Sequence, residues 1–504
     1  MTACTHSARD HQGDLVLDAD VVVVGSGAGG AVVAGELAEA GRRVIVLEEG
    51  PNVPPEDLAR MRPSESMRHV WRDGAFMVAV PLGNTPAINV TMGRCVGGSS
   101  VITGGVCFRI PGAVMRHWTD ELHLRDYDEK AMEPYFADVE KKIHVEEVPV
   151  EMRSRSTALF AEGARKQGLD VKPMSRNTQD CQGCGQCNFG CPHLAKRSVD
   201  LNYLPEAVSH GAQVWSHCLV DRVLTKGTRA VGVSGRLLNR PGGRQGARLT
   251  VHAKEVVLAA GAWHTPLILR ASGIGRSHVV GHNLTLHPGF RVLARFDEPV
   301  RGWQGALQSA WSDTHEHEGV TLTSLFVPVG VLGATMPGVG VEHTRAAHQI
   351  DHLAMFGGIV HDGGGGRVRR GPGREPIVTY RMSKEDRARI PKLVRALAGA
   401  FRAAGARELF LPVLGLRGVA PDELDGVPLE SLPARRFESA SQHPLGSCQM
   451  GASSAVSVTD GDGKVWDTEG LHVADGSIVP TSLGVNPQLS IMAIATRVAW
   501  RMRG

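Results

Sequence analysis

The sequence lacks several features that mark other classes of protein. Its apolar runs, such as 21–24 and 256–260, have the length of strands and fall far short of the roughly 20 residues that span a membrane. The net charge is only +3 with no long basic run, so nothing indicates nucleic acid or an anionic membrane as a partner. The first ten residues, MTACTHSARD, contain neither the apolar core of a signal peptide nor a twin-Arg motif. We therefore expect a cytoplasmic protein without a membrane span.

Aromatic residues are also scarce, at 5%, so the sequence shows no evident stacking platform for a sugar and does not identify a substrate. In contrast, 504 residues exceed what a single compact core accommodates, and at least two domains are expected. Glycine is abundant, with 61 residues, which indicates many tight turns or close approaches of the backbone.

A glycine-rich loop, GSGAGG, lies between a predicted strand at 18–24 and a predicted helix at 31–40, and a second strand follows at 43–47. The loop fits the G-x-G-x-x-G pattern of dinucleotide-binding βαβ units, in which the helix N-terminus faces a pyrophosphate. Glu48 ends the second strand, where a carboxylate accepts a ribose hydroxyl. This arrangement predicts a bound dinucleotide but does not separate FAD from NAD. The loop residues assigned to it are Gly25, Ser26, Gly27 and Gly30.

The region from about 290 to 435 differs in character, because strand-like alternation replaces the buried apolar runs. We expect a second domain there that covers the bound cofactor. Thr265 is predicted to cap a short helix ahead of Pro266. The other predicted elements are strands at 251–260, 290–296 and 320–327, and helices at 265–270 and 383–404.

Several separate blocks of the sequence resemble the glucose–methanol–choline (GMC) oxidoreductases, and together they span nearly the whole chain. The block GRCVGGSS, at 93–100, is similar to the family's GRxxGGSS segment, which lies along the flavin and its pyrophosphate. Members usually carry an Asn at the position of Thr103, so this residue departs from the pattern. Some members attach the flavin through a His of this segment, and its absence here implies non-covalent FAD. The residues implied to contact FAD are Arg94, Gly97, Gly98, Ser99 and Thr103.

Two later blocks support the same resemblance. The segment 261–275 fits the second family signature at every constrained position, and 471–480 resembles the strand that returns to the FAD pyrophosphate. The final helix opens with NPQL, and in the family its positive end faces the pyrimidine side of the flavin. The further FAD-contacting residues implied are Val220, Asp475, Gly476, Asn486, Pro487 and Gln488.

A His and an Asn stand where the family has its catalytic pair. His443 lies in QHPLG, which resembles the HPxG block, and Asn486 occupies the second position. Imidazole suits a base that removes the hydroxyl proton while hydride leaves the carbon for flavin N5. The Asn486 amide would hold the substrate oxygen and stabilise developing alkoxide. The other histidines, including His264, His282 and His287, are expected to be structural.

A cysteine run, CQGCGQCNFGCP, has the C-x2-C-x2-C-x3-C-P spacing of bacterial ferredoxins. It also resembles the segment of bacterial FAD-dependent glucose dehydrogenases that holds a three-iron cluster, and that of long-chain alcohol oxidases. Zinc, or a loop without metal, are the alternatives to an Fe–S cluster of the [3Fe-4S] or [4Fe-4S] type. The candidate ligands are Cys181, Cys184, Cys187 and Cys191.

The sequence thus predicts an α/β fold with a Rossmann-like FAD-binding domain, discontinuous in sequence, and a substrate domain built on an antiparallel sheet with helices. The expected activity is oxidation of a small-molecule alcohol, with electrons passing to oxygen, a quinone or a redox protein. A cluster would favour a dehydrogenase, its absence would leave an oxygen-using oxidase open, and a redox-neutral lyase is a further alternative. The expected segments are 15–50, 90–112, 195–289 and 436–504 for FAD, 51–89 and 290–435 for the substrate domain, and 113–194 as a connection.

Overall fold

Two large sheets organise the chain in a computed structural model that describes residues 3–238, 245–276, 278–336, 338–373 and 375–503. The first sheet has eight strands and contains the predicted βαβ unit. Leu15–Val24 lies at its centre, parallel to both Val44–Leu47 and Gln245–Leu258, and its last four valines are almost wholly excluded from solvent. Its remaining strands are His6–Ser7, Gln213–Ser216, Cys218–Lys226, Arg229–Leu238 and Leu471–Val473.

Helices cover this sheet because their apolar faces pack against the buried valines. The helix after the glycine loop, Ala28–Glu39, packs against the last helix of the chain, Gln488–Met502. Glu129–Lys142 and Tyr203–Ser209 complete the layer. One core therefore joins residues from both ends of the sequence.

The second sheet has eleven strands and is mostly antiparallel. Gly289–Arg295 lies near its middle, paired with Leu353–Val360. The long helix Lys384–Ala403 packs across it and against Arg155–Lys166. The other strands of this sheet are Val78–Pro81, Ile88–Val90, Lys172–Pro173, Ala310–Ser312, Val320–Ser324, Arg367–Arg370, Pro376–Tyr380, Glu408–Phe410 and Ser439–Ser441.

Shorter elements connect the two sheets. A separate two-stranded sheet pairs Val145–Glu147 with Ser175–Asn177. Within the described residues, no helix has the length and apolar character that crossing a bilayer requires. The remaining helices are Pro55–Arg60, Pro63–His69, Gly112–Asp120, Thr265–Ala271, Val329–Thr335 and Val341–Ala347.

The predicted α/β class with two differing sheets is confirmed. The strands do not follow the expected segments at every point: His6–Ser7 joins the first sheet, and Lys172–Pro173 and Ser439–Ser441 join the second. The prediction that Thr265 caps its helix is wrong. His264 holds the cap position, and Thr265 is the first helical residue because its hydroxyl is engaged by Asp475 instead.

Candidate active site

The glycine loop opens onto an elongated cavity of about 680 Å³. Helix Ala28–Glu39 has Gly27 at its N-cap position, which offers no side-chain cap, so its first amide groups remain available at the cavity wall. A Cβ at Gly25 would lie 2.3 Å from the carbonyl oxygen of Ala259, and Gly25 has a φ of +101°. Only glycine therefore permits this turn, and it leaves a helix N-terminus facing the space where a pyrophosphate binds.

Gly29 is a further constrained position that the motif did not single out. A Cβ there would lie 1.8 Å from the carbonyl oxygen of Ala474, at the end of strand Leu471–Val473. Gly30 is similarly close to the carbonyl oxygen of Gly25, at 2.1 Å. The close packing of helix and strand depends on both glycines, and the doubled GG of the loop was the available signal.

Glu48 lies at the cavity wall directly after strand Val44–Leu47. Its carboxylate accepts hydrogen bonds from the Ser26 hydroxyl at 2.7 Å and from the Gly50 amide at 2.8 Å. Burial raises the pKa of this carboxyl, while those donors oppose the shift. Its position suits a ribose hydroxyl, as the motif predicts.

The segment 93–100 passes directly over the loop. A Cβ at Gly98 would lie 2.6 Å from Cα of Gly27, and the amide of Gly97 donates to the Ser26 hydroxyl. Gly98 and Ser99 line the cavity, whereas the Arg94 guanidinium lies 3.5 Å from Asp73. This segment therefore closes one side of the site.

Thr103, where the family usually has Asn, contacts the last helix. Its hydroxyl donates to the side-chain oxygen of Gln488 at 2.8 Å. Two segments that are distant in sequence are thereby tied together beside the site.

The opposite wall comes from Asp475 and Gly476, which line the cavity with Val220 and Pro487. The Asp475 carboxylate accepts from the Thr265 hydroxyl at 2.5 Å and from the Gly261 amide at 2.9 Å. Burial raises its pKa. The family blocks of the sequence thus meet around one cavity.

A charged network that sequence reasoning missed borders the same cavity. The guanidinium of Arg72, a buried residue, lies 3.0 Å from Glu49 and 3.1 Å from Glu375, and Glu375 also contacts His264 at 3.1 Å. Burial raises the pKa of Glu375, but the hydrogen bond from His264 and the charge of Arg72 outweigh this effect and lower the pKa to about 2. No short motif links these residues, because they come from four distant segments.

A second cavity, of about 550 Å³, adjoins the first and has a mainly apolar wall. His443 lines both cavities, and Asn486 lines the second. The Asn486 amide nitrogen lies 3.2 Å from Nε2 of His443. Burial lowers the pKa of His443 to about 4, so the imidazole is neutral at physiological pH. The predicted pair is therefore brought together.

His287, expected to be structural, lines the second cavity beside His443. The two rings have centroids 5.3 Å apart and meet edge to face. Its Nε2 accepts from the amides of Leu483 and Gly484 at 2.9 and 3.2 Å, which fixes the loop that leads to Asn486. Burial holds its pKa well below the usual range.

The four cysteines of the C-x2-C-x2-C-x3-C run surround a small common cavity of about 10 Å³. Their thiols are free, and Cys187 accepts from the buried Arg176 guanidinium at 2.9 Å. A hydrogen bond from the Cys184 thiol lowers the pKa of Cys191. Across the residues described, however, no group of three or more His, Cys, Asp or Glu side chains is arranged to hold a metal ion. The Fe–S cluster predicted from the spacing is therefore not supported.

These two joined cavities, one with a dinucleotide-binding loop and one with a buried neutral imidazole, define a nucleotide-dependent oxidoreductase. Family profiles described as GMC oxidoreductase match residues 19–289 and 366–495. The chain belongs to the GMC oxidoreductase family, whose cofactor is FAD.

Two uncharacterised relatives are similar over nearly the whole chain. A GMC-type oxidoreductase of Mycobacterium tuberculosis is 40% identical across 96% of this chain and 76% of its own length. A second, from Sinorhizobium fredii, is 32% identical across 96% and 95%.

A relative with a named activity and a solved structure have lower sequence identity to this chain. The long-chain-alcohol oxidase FAO1 of Arabidopsis thaliana is 26% identical over 96% of this chain and 67% of its own length. The crystal structure of pyridoxine 4-oxidase from Mesorbium loti has a TM-score of 0.72 at 20% identity, covering 96% of this chain and 99% of that one. That likeness concerns the fold.

Proposed function

We propose that this protein oxidises an alcohol carbon to a carbonyl by hydride transfer to FAD, with His443 as the base and Asn486 holding the substrate oxygen. The observation that carries the proposal is the position of His443 at the junction of the two cavities. A hydroxyl bound in the apolar cavity would reach Nε2 of His443 while its carbon faces the cofactor cavity.

The residues present fit FAD. An uncapped helix N-terminus, a buried carboxylate at Glu48 and the glycines 25, 27 and 98 leave room and donors for a pyrophosphate and a ribose. The cavity extends from Val220 to His443, so one ligand would span both ends. Residues 93–100 contain no His, and we propose non-covalent binding.

His443 acts on the proton of the substrate. With the Asn486 amide as donor, Nε2 is the ring nitrogen that carries the lone pair. When the substrate hydroxyl takes the place of that donor, Nε2 accepts the hydroxyl proton as the C–H bond breaks. FAD, when bound, supplies the acceptor for the hydride that leaves the carbon. The products are a carbonyl compound and a protonated imidazole, which must lose its proton before the next turnover.

Asn486 acts on the substrate oxygen. Its amide lies on the cavity wall beside the base, where it would donate to the oxygen as negative charge develops. The mainly apolar wall excludes water and favours an alcohol with an apolar body over a sugar. The Arabidopsis relative is named as a long-chain-alcohol oxidase, which agrees with this substrate class.

Electrons leave the protein for an external acceptor. Oxygen, a quinone and a redox protein remain the candidates, and parallel measurement of oxygen uptake and artificial-acceptor reduction separates an oxidase from a dehydrogenase. Iron and acid-labile sulfide, assayed on anaerobically purified protein, test the cysteine segment: stoichiometric amounts of both would reinstate the cluster as a carrier.

The decisive experiment is bleaching of the flavin absorbance by alcohols under argon, which a redox-neutral lyase would not give. We expect His443→Ala to retain FAD and to slow bleaching by about 10²- to 10⁴-fold, the usual contribution of a positioned base. His282→Ala is the matched control, because His282 lines neither cavity. Normal bleaching in His443→Ala would overturn the assignment.

A further inference from the structure

A half-buried cation, Arg291, lines the apolar cavity with no carboxylate of the described residues within ion-pair distance. Arg291 lies on strand Gly289–Arg295, and its side chain forms no hydrogen bond or ion pair within 4 Å to any residue that the structure describes. Its nearest opposing charge is Glu438, an exposed residue at the cavity wall whose field acts at longer range. Burial lowers the pKa of the guanidinium.

The sheet directs Arg291 toward apolar neighbours. Its strand partner on one side is Gly357, which offers no side chain. Leu293, on the same face two residues further on, packs with Phe326 and Leu332. The segment 325–331 lines the same cavity as Arg291 and contributes Leu, Phe and Val side chains and one Pro.

An unpaired guanidinium in an apolar cavity raises the free energy of the folded protein unless a ligand supplies the opposite charge. Arg295, on the same face of the same strand, shows the ordinary solution, since it pairs with Glu408 at 3.2 Å. The planar guanidinium matches a carboxylate with two parallel hydrogen bonds, and the low dielectric of the cavity strengthens that interaction.

The position along the strand sets the separation between the two polar ends of a ligand. Gly289 pairs with Ala440, three residues before His443. Arg291 lies two residues beyond Gly289, or about 7 Å farther along the strand. A ligand that reaches both His443 and Arg291 must therefore carry its two polar groups at opposite ends of an apolar body.

We infer that the substrate is an amphipathic hydroxy acid, whose carboxylate binds Arg291 while its distant hydroxyl lies at His443 and Asn486. This inference rests on the proposed function and narrows it from an apolar alcohol to one that carries an anion. Arg291 is a specificity residue that takes no part in the chemistry.

The test compares ω-hydroxydodecanoate with its methyl ester and with dodecanol, which match it in length but lack the charge. We expect the wild-type kcat/KM to be at least about tenfold higher for the acid, the effect of one charge-assisted hydrogen-bonded pair. Arg291→Met should remove that preference, so that kcat/KM for the acid falls to about the value for its methyl ester. Arg295→Met is the matched control, since it removes a cation of the same strand outside the cavity.

A binding experiment keeps the two hypotheses separable. Dodecanoate cannot be oxidised, and calorimetry should show that its affinity falls about tenfold or more in Arg291→Met, is retained in part in Arg291→Lys and rises in Glu438→Gln. Equal dodecanoate binding by wild type and Arg291→Met would overturn the anion site, as would a wild-type preference for the methyl ester. If no alcohol bleaches the flavin but dodecanoate binding still depends on Arg291, the oxidation proposal fails and the anion site stands.

Discussion

The rings of His287 and His443 meet edge to face with centroids 5.3 Å apart, and only His443 lies within hydrogen-bonding distance of Asn486. His287 instead accepts two backbone amides from the loop that precedes Asn486. His443 therefore lies at the junction of the two cavities beside Asn486, and His287 holds the loop that presents Asn486.

This division predicts that His287→Ala lowers kcat more than it raises KM, because the Asn486 amide loses its fixed position. Two buried amides would also lose their acceptor, which costs about 1–3 kcal/mol each in unfolding free energy. Stopped-flow flavin reduction and thermal unfolding measure the two effects. His287→Gln, whose side-chain oxygen can accept from the same amides, should recover part of both. Wild-type kinetics in His287→Ala would contradict this role.

The pH dependence of flavin reduction follows from the burial of His443. In the proposed mechanism the neutral imidazole is the active form, and burial lowers the pKa of His443 to about 4 from a usual value near 6.5. The rate should therefore stay constant as pH falls from 8 to about 5 and decline only as pH approaches 4. Anaerobic reduction rates across this range give the profile. A decline centred near pH 6.5 would show that His443 titrates as an exposed imidazole.

Glu48 is predicted to govern retention of the cofactor. Glu48→Ala removes the acceptor for the ribose and also frees the Ser26 and Gly50 donors, so FAD affinity should fall about tenfold or more. The ratio of flavin to protein absorbance after gel filtration measures the loss. Glu39→Ala, at the exposed end of the first helix, is the control and should keep its FAD. Full occupancy in Glu48→Ala would remove Glu48 from the site.

Gly29 and Gly330 form a matched pair of helical glycines. Gly29→Ala would press a methyl group against the carbonyl of Ala474. We expect the Tm to fall by several degrees and bound FAD to be lost. Gly330→Ala meets nothing within 4 Å, and should be neutral or stabilising by up to about 1 kcal/mol. Thermal unfolding of both variants checks the contrast. Equal Tm values would mean that the first helix can shift away from the strand.

The sequence predicted the site best where a backbone requirement forces a residue type. Gly25 and Gly98 are such positions, because no side chain fits there, and the strand ending at Glu48 follows from its unbroken apolar run. Element ends were less accurate: the first helix begins at Ala28, not at 31, because Ala28, Gly29 and Gly30 of the loop are themselves helical.

Features that depend on contacts between distant segments were not predictable. Neither His287 nor Arg291 lies in a motif, and each acquires its character only from the chain folded against it. The network of Arg72, Glu49 and Glu375 arises in the same way. The cysteine run shows the converse, since its spacing predicted a metal site that the described side chains do not form.

The first helix packs against a helix that ends at Met502, and the strand Leu471–Val473 pairs with the sheet that the N-terminal segment begins. The wall around the cofactor cavity is therefore complete only once the residues up to Met502 have left the ribosome. We expect a chain without helix Gln488–Met502 to hold FAD poorly, because it would lose Ile491 from the cavity wall and the packing partner of the first helix.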